Sequence, residues 1–497
     1  MSTQSTQTLD PLTLPLSGLQ MIEASAGTGK TWTLAALYVR LVLGHHPQAL
    51  EPVAALYPPQ ILVMTFTDAA TAELRERIRA RLAQAARFFQ KGDAAPADDF
   101  LRVLRQSIDA ATWPDCAARL DLAAQWMDEA AIFTIHGWSS RMLKTHAFDS
   151  GSLFTQTRVE DSEQLKLTAV QDYWRHWFYA LDTATLAALD AVADTPQTLL
   201  NQLKDRWRVA ERTPAAATPP PEPPPVVLAQ WSAWQQQRLA LEAPARAGWT
   251  FEVVAQLQEA VASKTLKGYQ ANWLPGWLAQ MADWAQGQDI EVKTLARFTR
   301  STLVAKGWVQ AASHPVFDQL QALHDCLALE PDVAEALLSH AALEVNAAYQ
   351  RAKAQAAQFD FSDLLQNLYH ALQAPDGRLA QAIAAQFPVA LVDEFQDTDP
   401  WQFGSLVKIY SSSSPLDKGL IMIGDPKQAI YSFRGADLAT YLQARGQAQG
   451  IYTLAGNYRA TAGLVAAVNR VFELAQAPFG EVPFEPVVAC NPAVQPL

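Results

Sequence analysis

A chain of 497 residues with 49% apolar side chains is long enough for two or three domains and can bury true cores, which excludes a globally disordered protein. Its net charge of −12 lends no support to nucleic-acid binding, so a reading of that kind must come from motifs; a cleft can still differ in charge from the average. No basic region followed by an apolar stretch opens the sequence and no apolar run approaches a membrane span, so neither a secretory signal nor a membrane protein is expected. Cys116, Cys326 and Cys490 lie far apart, without the spacing of a disulfide framework or a zinc site, and a reducing cytoplasm is the expected location.

In chain order, Leu19 to Ala24 reads as a strand, Ser25 to Gly29 as a tight loop, and the segment from Lys30 as a helix. The pattern repeats at 61–90, where ILVMTF is a buried strand, Thr67 and Asp68 form a capping pair, and AATAELRERIRARLAQAARFF is a helix. A third unit, AIFTIHGWSSRML, spans 131–143. Residues 160–380 are then mostly helical in pattern, and PAAATPPPEPPP at 214–225 reads as an extended linker or exposed loop. Strands resume in FPVALVDEF (387–395), GLIMIGD (419–425) and GIYTLAGNYR (450–459). Strands alternating with helices predict a parallel α/β sheet, here interrupted by a large helical insertion. The tryptophans of the insertion, among them Trp174, Trp177, Trp207, Trp231, Trp234, Trp273, Trp277 and Trp284, are expected to be anchors of helix packing rather than base-stacking platforms. Arg75, Arg77, Arg79 and Arg81, with Glu73 and Glu76 nearby, are expected to form an internally paired helix face rather than a DNA track.

Two segments carry chemistry. In ASAGTGKT (Ala24, Ser25, Ala26, Gly27, Thr28, Gly29, Lys30, Thr31), the glycines let the backbone turn tightly and aim N–H groups at phosphate oxygens. Lys30 reaches the β- and γ-phosphates, Thr31 offers its hydroxyl to Mg²⁺, and the helix N-terminus adds its dipole. Ala24 stands where the usual pattern has glycine, and it is small enough to keep the turn. In VALVDEFQDTD (389–399), an apolar strand delivers two acids at its tip: Asp393 to hold Mg²⁺ and Glu394 to orient an attacking water as base. An acidic turn after a strand is the bland alternative to the second motif, and a chance glycine-rich loop to the first.

DEFQD resembles motif II of the UvrD-type helicase superfamily, and other segments agree in order. TFTDAATAEL (65–74) resembles motif Ia, and TIHGWSSRML (134–143) motif Ic in its RecB-family form. FDFSDLL (359–365) resembles the segment before motif II, IGDPKQAIYSFRGAD (423–437) motif III, and LAGNYRAT (454–461) motif IV. The resemblance runs from about Pro11 to about Phe472, apart from the helical insertion. It implies an ATP- and Mg²⁺-dependent DNA helicase of RecA-like fold that moves 3′→5′ from double-strand ends in recombinational repair. Its partners would be single-stranded DNA, duplex DNA ends, and RecC- and RecD-like subunits of an exodeoxyribonuclease V complex. In that setting Gln428 is similar to the γ-phosphate sensor and Arg459 to the arginine finger, while Tyr458 would stack on adenine. Phe66 and Phe433 match the DNA-stacking aromatics, each base stack contributing roughly 1–3 kcal/mol without sequence preference. Thr65, His136 and Arg434 would contact phosphates; a strand-end core residue (Phe66) and a satisfied structural histidine (His136) are the alternatives.

The expected fold class is α/β: a P-loop RecA-like parallel-sheet domain from residues 1–150 and 380–445, an all-helical insertion at 151–379, and from 446–497 the start of a second RecA-like domain. Motifs V and VI and a nuclease domain are not found before Leu497, so the sequence reads as the N-terminal part of a motor; alone, it is expected to bind nucleotide but to unwind poorly. EASAGTGKT and the FDSG at 148–151 favour the RecB branch over an AddA-type helicase–nuclease or a stand-alone UvrD/Rep helicase. A non-catalytic docking scaffold is the rival from another class, and the presence of Lys30, Thr31, Asp393, Glu394, Gln428 and Arg459 argues against it.

Overall fold

The computed structural model describes residues 6–47, 54–147, 157–159, 161–182, 185, 192–210, 220–411, 418–430, 437–475, 478–480, 482 and 484–490. Phe433, Arg434, the FDSG at 148–151 and residues 214–219 of the proline-rich stretch lie outside the described residues. The chain forms two compact units, one of Met1–Glu160, Ala210–Pro214 and Lys353–Leu497, the other of Asp161–Val209 and Ala215–Ala352.

The first unit is built on a parallel sheet. Its strands are β1 (Gln7–Thr8), β2 (Gly18–Glu23), β3 (Ile61–Thr65), β4 (Ile132–Thr134), β7 (Val389–Val392), β8 (Gly419–Gly424) and β9 (Gly450–Thr453), in the spatial order β1-β9-β2-β8-β7-β3-β4. Two short parallel pairs stand apart from it, β5 (Thr157–Arg158) with β6 (Gln358–Phe359), and β10 (Gly456–Asn457) with β11 (Val488–Ala489). Strands β2, β3, β7 and β8 are buried along their whole length, which is why they read as unbroken apolar runs rather than alternating ones. Alternate side chains feed opposite faces. Ile22, Val63, Leu391, Ile421 and Ile423 pack under α1 (Lys30–Leu43) and α2 (Asp68–Lys91). Met21, Leu62, Met64, Ala390, Val392, Leu420 and Met422 pack under the helices Ile135–Thr145, Phe361–Leu372, Arg378–Gln386, Pro400–Tyr410 and Leu438–Gln447. This is the expected α/β parallel-sheet class with a helical insertion.

Two segments fall elsewhere than the sequence placed them. Gly450–Thr453, expected to begin a second domain, pairs with Gln20–Glu23 and with β1 inside this sheet. The Phe361–Leu372 helix, expected in the insertion, buries Leu364, Leu368 and Leu372 in the sheet's own core. The second unit is helical and has two cores of its own. Trp207 and Trp284 are buried in them, and Trp174, Trp177, Trp231 and Trp277 pack against them; Trp234 is buried with its Nε1 donating to the carbonyl of Cys326, while Trp273 is exposed. The helix Pro224–Gly248 opens on prolines, which suits a first turn that has no use for their missing N–H. Among the described residues no helix is long and apolar enough to cross a membrane.

Two arginines of α2 pair within the helix as expected, Arg77 with Glu73 at 2.6 Å and Arg79 with Glu76 at 3.2 Å; Arg79 also meets Asp128 at 2.6 Å, and Arg81, buried rather than solvated, pairs with Asp98 at 2.8 Å. Arg75 donates to the carbonyl of Ile132 on the edge strand β4.

At the far end of α1 the chain reverses through Gly44 in the left-handed region (φ 66°), and the buried Arg40 donates to the carbonyls of Pro11, Leu14 and His45. Its Nε also donates to His45 Nδ1 at 3.3 Å. Burial, and then the Arg40 charge, push both His45 and His46 down to about 4, from an ordinary value of 6.5. These rings are therefore neutral in the folded state at a pH where the unfolded chain protonates them. Their stability contribution is complete above pH 6.5 and is lost as pH falls towards 4. Because the rings are only half-buried, we expect a loss of roughly 1–2 kcal/mol rather than the full value of the shifts. Urea midpoints measured at neutral and acid pH should show it, and His45→Gln with His46→Gln should flatten that part of the profile.

Candidate active site

The site begins where β2 ends. Glu23 is fixed there by Tyr441 Oη at 3.3 Å and Arg445 Nε at 2.9 Å, both donating to Oε1. The next residue, Ala24, donates its N–H to the carbonyl of Gly424 on β8. The loop then closes on itself, with Thr28 donating its N–H and its Oγ1 to the carbonyl of Ser25. Gly27 (φ 80°) and Gly29 (φ 95°) adopt a backbone that other residues resist. A Cβ on Gly27 would also stand 2.7 Å from the Cβ of Arg459, whereas at Gly29 it would meet open space. The first turn of α1 takes no side-chain cap, which suits an anion at its N-terminus.

β7 delivers the acids. Glu394 lies in the left-handed region (φ 52°, ψ 45°), a conformation that costs a non-glycine residue roughly 1–2 kcal/mol and aims its carboxylate back at the loop. Lys30 Nζ meets Glu394 Oε2 at 2.7 Å. Burial, followed by the neighbouring Glu394 charge, pushes Asp393 up to about 6, with Lys30 opposing. Asp397 is pushed up to about 6 for the same reasons. Two carboxyl groups held in this way gain from a divalent cation, which would offset both burial and the repulsion from Glu394.

A third segment completes the site. Asn457 donates Nδ2 to the carbonyl of Ala26 at 3.0 Å and accepts from the N–H groups of Arg459 and Ala460 at 2.9 Å. Tyr458 N–H donates to the carbonyl of Gly27. Lys30, Thr31, Thr65, Asp393, Glu394, Tyr458 and Arg459 thereby line one open cleft of about 530 Å³, together with Gly27, Gly29, Trp32 and Arg77. Ser25, Ala26 and Thr28 form the loop behind it. The buried Thr65 Oγ1 has no hydrogen-bond partner among the described residues and stands on the wall of this cleft.

Gln428 is not among the residues lining the cleft; its Nε2 donates to Asp425 Oδ2 at 2.6 Å. Phe66 does not line the cleft; it lines a smaller cavity with Thr65, Asp393, Glu394 and Asp397. His136 is half-buried near the start of the Ile135–Thr145 helix, and burial lowers its pKa, which favours the neutral ring. Sequence reasoning gave no role to Asn457 or Gln396. Both sat inside quoted motifs, but their functions depend on contacts across more than one segment.

The UvrD/REP helicase N-terminal domain model matches residues 5–449. The chain is 36% identical over 498 residues to the RecBCD enzyme subunit RecB of Escherichia coli, covering 97% of this chain and 40% of that protein. It is 34% identical over 506 residues to RecB of Haemophilus influenzae, covering 95% of this chain and 41% of that one. Against RecB of Chlamydia trachomatis it is 30% identical over 495 residues, with 95% and 44% covered. The chain thus spans about 40% of the length of the first two of these relatives. A match over this much of the chain, on a sheet with a phosphate loop and paired acids at its strand ends, places the protein in the UvrD/REP helicase family.

Proposed function

We propose that the cleft binds ATP with Mg²⁺ and hydrolyses it to drive movement on DNA. We propose further that the parent protein works as a RecB-like, 3′→5′ helicase subunit with RecC- and RecD-like partners at double-strand ends. The single observation that carries the reading is the meeting of Lys30, Asp393, Glu394, Tyr458 and Arg459 around one cleft, drawn from segments hundreds of residues apart. The loop N–H groups and Lys30 would hold the β- and γ-phosphates, and Tyr458, 60% exposed at the edge of the cleft, would stack on adenine. Thr31 and Asp393 would hold Mg²⁺, which supplies charge neutralisation at the phosphates. Glu394 would take the proton of the attacking water, and the Arg459 guanidinium would meet the charge that develops on the transferred phosphoryl group. Gln428 would sense the γ-phosphate. Thr65, Phe66, His136, Phe433 and Arg434 would contact single-stranded DNA, the aromatics by stacking.

ATP hydrolysis measured with and without single-stranded DNA tests this reading. The expected result is DNA-stimulated turnover that falls about 10³-fold or more in Arg459→Ala, the usual range for a finger arginine. Hydrolysis that ignores DNA, or that survives Arg459→Ala within tenfold, would count against the motor reading.

A further inference from the structure

Inside the acidic segment 389–399 lies a side chain to which the proposed function gives no role. Gln396 is buried, at 3% exposure, in the short turn that follows Glu394. Its Nε2 donates to Glu394 Oε2 at 2.9 Å, the same oxygen that Lys30 holds at 2.7 Å. Its Oε1 accepts from the backbone N–H of Asp425 at 3.0 Å. Asp425, also buried, accepts from Gln428 Nε2 on one oxygen and pairs with Lys427 at 2.9 Å on the other. The fit is close: a Cβ on Gly424 would stand 2.8 Å from Gln396 Oε1 and 3.1 Å from its backbone nitrogen, so β8 must end in glycine for the amide to pass.

We infer that Gln396 is a positioning residue that holds Glu394 in one orientation and carries its displacement to the turn at Asp425–Gln428. The physical reason is the planarity of the amide. Its donor end and acceptor end are parts of one rigid group, so a shift at Glu394 tilts the oxygen that receives the Asp425 N–H. Both of these donors sit on Oε2, so among the described residues Oε1 of Glu394 is the oxygen open to a water. When a nucleotide phosphate engages Lys30, the ammonium must share its charge between phosphate and Glu394. The carboxylate then loosens on the Lys30 side, and its remaining hold is Gln396. The inference rests on the nucleotide reading of the cleft, and it adds a residue whose work is to connect that cleft to the 425–428 turn.

Amide hydrogen exchange of the 419–430 segment, read by mass spectrometry with and without Mg²⁺ and the non-hydrolysable analogue AMP-PNP, tests it in the whole chain. In the wild type the analogue should change exchange at 425–428 several-fold. Gln396→Leu removes both ends of the bridge, so Asp425 should exchange faster even without nucleotide, and the response at 425–428 should be absent although the variant binds the analogue within about threefold. Gln396→Met, closer in length and equally without a donor or acceptor, should lose the response in the same way. A Gln396→Leu protein that binds the analogue and responds like the wild type overturns the inference. So does a wild type that binds the analogue without any change at 425–428, which leaves the nucleotide reading standing. A wild type that does not bind the analogue overturns both.

Discussion

Glu394→Gln should lower ATP hydrolysis by about 10²–10⁴-fold while leaving ATP affinity within about threefold of the wild type. The substitution keeps the shape of the side chain and an oxygen that can still accept from Lys30 and Gln396, now at 2.7 and 2.9 Å from Oε2. It removes the one property that hydrolysis needs from this position, a group able to take a proton from water. It also removes the like charge beside Asp393. Burial is the larger reason that Asp393 is pushed up to about 6, and Glu394 is the next. The variant should therefore hold Mg²⁺ and phosphate at least as well as the parent at mildly acid pH. Turnover within tenfold of the wild type would remove Glu394 from the chemistry and leave it a structural partner of Lys30.

The second large effect is on stability. Lys353 is 2% exposed in its side chain and meets both oxygens of Asp363 at 2.6 Å and Asp360 Oδ2 at 2.8 Å. The same two aspartates cap the Phe361–Leu372 helix reciprocally: Asp363 N–H donates to Asp360 Oδ1 at 3.0 Å, and Asp360 N–H to Asp363 Oδ2 at 2.7 Å. Deleting the ammonium takes away the charge that both carboxylates of this cap meet, so Lys353→Ala should cost roughly 3–5 kcal/mol in urea unfolding of the unit that contains them. Lys353→Met combined with Asp363→Asn should recover more than 1 kcal/mol of that loss, because the asparagine still accepts from Asp360 N–H and carries no charge. A cost below about 1 kcal/mol for Lys353→Ala would show that water reaches the cluster and that the ion pair is only a surface contact.

What the sequence disclosed, and what it did not, follows from how local each signal is. Gly27 and Gly29 were legible because a tight phosphate loop demands left-handed backbone, and both residues adopt it. The buried strands were legible as apolar runs, since a sheet covered on both faces needs no alternation. The pairing of Arg77, Arg79 and Arg81 was legible in part from acids three or four residues away, although Asp98 and Asp128 come from further along the chain. By contrast, the placement of Gly450–Thr453 between β1 and β2 is a long-range choice of neighbour, and a four-residue strand, GIYT, does not announce it. The Phe361–Leu372 helix showed its apolar stripe, but a stripe does not say which core receives it. Lys353 sits in a stretch, AYQRAKAQ, that reads as solvated, and its burial depends on carboxylates seven and ten residues on. At the candidate site the acids and the lysine were legible as motifs. The bridge through Gln396 and the tie of Asn457 to Ala26 were not, because each depends on a backbone group from another segment.

Calorimetric titration of this chain with Mg²⁺ and ATP, beside Lys30→Ala, decides whether the cleft lined by Lys30 is an ATP site. One ATP should bind per wild-type chain, with at least tenfold weaker affinity in Lys30→Ala and no comparable loss of thermal stability in the variant. A wild type that takes up no ATP, or a Lys30→Ala protein that binds it equally well, would show that the cleft is not a nucleotide site.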